Sequence, residues 1–181
     1  MNTLDPRSAL VLDTLELGRR AGAMLKRSFT AAAPADLGTE VIGVPTGSEL
    51  EVELRLESVI EGVLVSGRVR AEVVGQCARC VTDLTDEVDV DFQELYEYPD
   101  EANSADDEEA LRLDGDLLDL EPVVRDAIVL ALPLAPLCSP DCLGLCTQCG
   151  ADLNETPDHH HDSVDARWQK LTGLLPESKE G

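Results

Sequence analysis

The chain has 181 residues, with 37 Asp or Glu against 14 Lys or Arg and a formal net charge of -23. That balance disfavours a bare phosphate backbone as partner unless the basic groups gather on one face. No apolar run approaches the roughly 20 residues of a membrane span.

The composition is 43% hydrophobic but only 3% aromatic, so any core must be built from Val, Leu, Ile and Ala. The length fits one compact domain or a domain with a small appended module. The start, Met1 to Pro6, lacks the basic flank and apolar stretch of a signal peptide, so the expected location is cytoplasmic. In that compartment clustered cysteines bind metal or do redox work more often than they form structural disulfides.

In chain order, residues 8–17 read as a short strand broken by Gly18 to Gly22, and Ala23 to Ala33 as a short helix carrying Lys26 and Arg27. Five of the fourteen basic residues lie in the first 27 positions, which makes Arg19, Arg20, Lys26 and Arg27 the candidate RNA-contacting set. Val41 to Val44 reads as a short strand. Then Leu50, Val52, Leu54 and Leu56 alternate with charged residues, the period-two pattern of a half-buried strand.

A second such run places Val63, Val65, Val69, Ala71 and Val73 on one face, with Gly67 as a bulge or close-packing point. A third sets Val88, Val90 and Phe92 against acidic neighbours. The turn between these two runs carries Cys77-x-x-Cys80. Three consecutive strands of this kind predict an antiparallel sheet with one wet face. The expected class is α+β: a curled, barrel-like meander packed with a few helices, followed by a cysteine-rich segment.

Residues from about 99 to 116 are strongly acidic and predict a mobile loop. A packing helix is expected over about 119–132, with Asp119 as its cap and Pro122 in its first turn. The expected division is a β-rich core domain over 1–134 and a cysteine-rich segment over 135–181. A last helix is expected from about Asp165.

Four cysteines, Cys138, Cys142, Cys146 and Cys149, fall within twelve residues. Structural zinc takes four thiolate or imidazole ligands in a tetrahedron, and Cys146-x-x-Cys149-Gly150 is a knuckle pattern. These four are the expected local ligand set for a structural zinc, which would contribute roughly 10 kcal/mol to the order of its segment. The rival is a ribbon site combining Cys77 and Cys80 with Cys146 and Cys149. His159, His160 and His161 are candidate substitutes for one cysteine.

No phosphate-binding glycine loop, nucleophile elbow or His-Glu-x-x-His motif is present in the sequence. A zinc held by four protein ligands has no open position for substrate. The expectation is therefore a protein that is not an enzyme, with no catalytic residues and no small-molecule substrate. The alternatives are a thiol–disulfide or redox-sensing protein using Cys77 and Cys80, and a zinc-ribbon module that works beside the transcription machinery.

Several motifs together resemble the YceD family of bacterial and plastid proteins associated with accumulation of large-subunit ribosomal RNA. They are Cys77-Ala-Arg79-Cys80, Val90 to Tyr96, the stretch Asp119 to Pro133, and Cys138 to Asn154 with Leu153-Asn154 at its end. The N-terminal Leu12 to Arg20 resembles actinobacterial members. The resemblance covers about Leu50 to Asn154. It implies a non-enzymatic factor in large-subunit synthesis, stability or assembly, whose partner is a ribosomal RNA precursor or a basic large-subunit ribosomal protein. Members differ in whether they carry the second cysteine block, so the resemblance does not by itself imply zinc.

Overall fold

The computed structural model describes residues 4–99, 110–161 and 167. Its centre is the meander formed by β4 (Glu49–Ser58), β5 (Gly62–Gln76) and β6 (Asp83–Glu97). Each neighbouring pair is antiparallel, and the register places Val52 beside Val69 and Val69 beside Val90. The alternation read from the sequence thus becomes one apolar face, on which Leu50, Val52, Leu56, Val65 and Val69 are almost wholly buried. Burial of a side chain of this size is worth about 1.5–3 kcal/mol, and such residues provide most of what opposes chain entropy.

β2 (Met24–Ala32) adds to the free edge of β4, with Phe29 beside Val52. β3 (Ile42–Gly43) pairs with the far end of β5 beyond the first residue of β4. Gly67 sits between Leu54 and Phe92, and a Cβ there would come within 2.4 Å of the Phe92 ring and 2.6 Å of Leu54. The missing side chain is what lets that ring lie against the sheet.

A second, two-stranded sheet pairs β1 (Val11–Asp13) with β7 (Leu117–Asp119). α1 (Glu121–Ala131) follows directly and buries Val123, Val124 and Ile128. The hydroxyl of Tyr96, on β6, donates to the Asp119 carbonyl at 2.6 Å and fixes the entry to the helix. Leu120 occupies the cap position, while the Asp119 carboxylate accepts the Glu121 amide at 2.9 Å. Asp119 therefore serves a free helix amide from one position before the cap.

Four expectations are corrected. The stretch Ala23–Ala33 is not a helix but contains β2: Leu25, Phe29 and Ala31 fall on the inner side of a strand and complete the exposed edge of β4. Nine paired residues outweigh the weak helical preference of the alanines. The strand expected over 8–17 is only Val11–Asp13, because Thr14 turns away, its hydroxyl donating to the Asp116 carbonyl at 2.8 Å. The sheet does not close into a barrel, since no ladder joins β2 to β6 among the described residues. In place of a few helices there is one α-helix among them.

The acidic stretch lies partly outside the described residues, as does the helix expected from Asp165. Its described end is tied to the sheet: the Leu113 amide donates to the Glu97 carbonyl at 3.0 Å, and Leu113 is buried. None of the described helices is long and apolar enough to cross a membrane.

Candidate metal centres

The six cysteines gather into two groups, and neither is the expected local set. Cys77, Cys80, Cys138 and Cys142 form one, and Cys146, Cys149, His159 and His161 the other; within each, the candidate ligand atoms all lie within 4.8 Å of one another. The sequence-local four are split, Cys138 and Cys142 going to the hairpin tip and Cys146 and Cys149 to the histidines. The ribbon pairing of Cys77 and Cys80 with Cys146 and Cys149 is not formed.

The first group lies where the tip of the β5–β6 hairpin meets the segment after α1. Cys77 Sγ stands 3.8 Å from Cys142 Sγ, and Cys80 Sγ 3.5 Å from Cys138 Sγ. Thiolates at about 2.3 Å from a tetrahedral zinc are about 3.8 Å apart, so these separations fit its edges. Cys77, Cys80 and Cys142 are buried, and Cys138 closes the outer side.

Backbone amides favour the thiolate at this tip. The amide of Cys80, followed by that of Cys138, brings the Cys77 thiol down to about 6. The Thr82 hydroxyl, 3.2 Å from Cys80 Sγ, lowers Cys80. Cys138 is pushed up to about 12 by its neighbour Cys80 and then by Cys142. Crowded sulfurs resist full ionisation together, and a divalent cation among them removes that conflict.

Groups outside the sulfur cluster hold the same geometry. Arg79 donates to the Cys142 carbonyl at 2.8 Å, and its own carbonyl accepts the Leu145 amide at 3.1 Å. The Ala78 amide donates to the Pro136 carbonyl at 2.8 Å. Gly144 has φ +79°, and a Cβ there would meet the Arg79 carbonyl oxygen at 3.0 Å, so both conformation and space call for glycine. Asn154 accepts the Leu143 amide at 2.8 Å and donates toward Cys142 Sγ at 3.6 Å. Neither Arg79 nor Asn154 is a metal-ligand type, and a search for ligand spacing passes over both. Their signal was position, between the two hairpin cysteines and just after the last knuckle.

In the second group, Cys149 Sγ lies 3.2 Å from His159 Nε2 and 3.3 Å from His161 Nε2. The Cys146 thiol is lowered to about 7, chiefly by the Gln148 amide and next by that of Cys149. His160 is not a member; its Nδ1 lies 3.1 Å from the Asp158 carbonyl.

The candidate RNA-contacting residues do not form one helical face. Lys26 and Arg27 are successive strand residues and point to opposite sides of the sheet. Arg27 pairs with Glu16, and Arg19 with Asp116 at 3.5 Å while stacking over Tyr98.

The family model described as "Large ribosomal RNA subunit accumulation protein YceD" matches residues 65–175. The chain belongs to the YceD family. The match takes in α1, the hairpin cysteines and the whole cysteine-rich block. An uncharacterized protein of Mycobacterium tuberculosis is 45% identical over 174 residues, covering 94% of this chain and 84% of that one. An uncharacterized protein of Mycobacterium leprae is 40% identical over 171 residues, covering 93% and 78%. The maize protein named "Large ribosomal RNA subunit accumulation protein YCED homolog 1, chloroplastic" is 37% identical over 59 residues, covering 33% of this YceD-family chain and 18% of its own. No solved structure matches the chain.

Proposed function

We propose that the protein is a non-enzymatic factor supporting accumulation of large-subunit ribosomal RNA, acting through contacts with protein or RNA. The observation that carries this reading is the family match over residues 65–175, which spans both the hairpin tip and the segment docked on it. The first cysteine group serves as a structural zinc clasp that holds that segment as a fixed surface. Its four ligands leave no open position for a substrate.

Charge favours a basic ribosomal protein over RNA as the direct partner. The net charge is -23, and two of the four candidate RNA-contacting residues are already paired with carboxylates. The test is affinity capture with the full chain, carried out on large-subunit precursors and on purified basic ribosomal proteins. Retention of a basic ribosomal protein by an Arg20→Glu/Lys26→Glu variant supports the protein contact. Loss of precursor binding in that variant alone moves the contact to RNA. Retention of neither, together with unchanged large-subunit RNA levels in cells lacking the protein, refutes the reading.

A further inference from the structure

We propose that Cys146, Cys149, His159 and His161 form a second zinc site, separate from the hairpin clasp and more labile than it. The two groups share no ligand, so they can fill independently. The donors of the second come from two short pieces of chain. Cys146 and Cys149 lie on a knuckle closed by the Gly150 amide donating to the Cys146 carbonyl at 2.8 Å. His159 and His161 are separated by one residue and both present Nε2 to Cys149 Sγ.

The geometry is that of a tetrahedral S2N2 shell. The sulfur–nitrogen separations of 3.2 and 3.3 Å are close to the about 3.5 Å expected around zinc. The two Nε2 atoms stand 2.9 Å apart with their rings nearly perpendicular, at 86°. Around zinc they would part to about 3.3 Å, a change that small side-chain rotations supply. The turn of the chain at Asp158 holds His160 out of this shell and brings its two neighbours in.

The difference in lability follows from charge and access. Two thiolates and two neutral imidazoles balance a divalent cation, whereas four thiolates leave a net negative centre that grips it more tightly. In the clasp three of the four ligands are buried, whereas in the second site Cys149 and His161 are exposed and the other two half-buried. A soluble chelator reaches the second site first.

Zinc itself is the probe. Full-length protein is equilibrated with zinc under reducing conditions, freed of excess and measured for zinc per chain, then exposed to a chromophoric chelator. The expected result is two ions per chain, one leaving at least tenfold faster. A His159→Ala/His161→Ala variant should hold one ion, the slow one, and His160→Ala should hold both. The proposal is overturned if the wild type holds a single ion that the double variant keeps, if the double variant still holds two, or if His160→Ala loses an ion as readily as the double variant. It is also overturned if both ions leave together. A single wild-type ion that the double variant loses and Cys77→Ser keeps would uphold this site and refute the zinc clasp. No bound zinc would refute both.

Discussion

The meander and the segment after α1 are ordered by opposite means. From Glu49 to Glu97 three long strands share continuous ladders and bury an aliphatic face. From Pro136 to His161 the chain has almost no regular structure; sulfur and imidazole groups converge there, helped by a handful of backbone bonds to Arg79 and Asn154. Apolar burial is spread over many residues, so the sheet tolerates the loss of one group. A ligand cluster concentrates its contribution at a few atoms, so the segment does not. The family match spans part of the meander and the whole of that segment.

Removing the proposed zinc should break this contrast most visibly. A zinc bound in such a segment contributes on the order of 10 kcal/mol to its order. Chelation under reducing conditions should therefore abolish hydrogen-exchange protection over 136–161 while the amides of β4, β5 and β6 remain protected. Collapse of both regions together would show that the sheet depends on the clasp. The converse test is Leu56→Ala, at a residue 1% exposed in the middle of the sheet. It should cost about 2–5 kcal/mol in chemical denaturation, with zinc per chain unchanged.

Smaller changes sharpen the boundary between the regions. Gly144→Ala forces a left-handed residue and crowds the Arg79 carbonyl. It should weaken zinc retention by the proposed clasp about 5–30-fold, the equivalent of about 1–2 kcal/mol of backbone strain, without moving the denaturation midpoint of the sheet. Asp119→Ala removes the carboxylate that accepts the Glu121 amide. It should cost about 0.5–2 kcal/mol in chemical denaturation, as loss of a capping side chain does. The smallest effect is expected on the wet face, where Arg68 bonds Asp91 at 2.7 Å and holds that carboxyl below its usual range. A depressed folded-state value means that the stabilisation is present above the ordinary carboxylate range and fades as pH falls through the folded value. Arg68→Gln should remove that small acid-side dependence and leave neutral-pH stability nearly unchanged, because exposed pairs contribute little.

How far the sequence disclosed the fold follows the same division. β4, β5 and β6 were legible because each buries one face against a single apolar layer, which leaves a strict period of two. β2 was not, because its inner side is interrupted: Arg27 stands opposite Leu54 and reaches out to Glu16. The cysteines were legible as a metal-binding composition but not as a grouping. Nearness in sequence suggested that Cys138 to Cys149 close on themselves. Instead the Leu145 amide is taken by the Arg79 carbonyl, and Leu145 bridges to Asp152, which turns the second knuckle away from the first. The His159-x-His161 spacing was the signal for the second group, ten and twelve residues beyond Cys149.

The first cysteine group has a consequence in time. Its outer ligand pairs are 58 and 65 residues apart in the chain. At about 5–20 residues per second, a ribosome needs about 3–12 s to deliver Cys138 after Cys80. Through that interval the hairpin tip carries two thiols without their partners, open to oxidation or to a borrowed ion. Closure of the four-sulfur set thus requires that β6, β7 and α1 have all been made, so metal loading at the proposed clasp would report that these elements are in place.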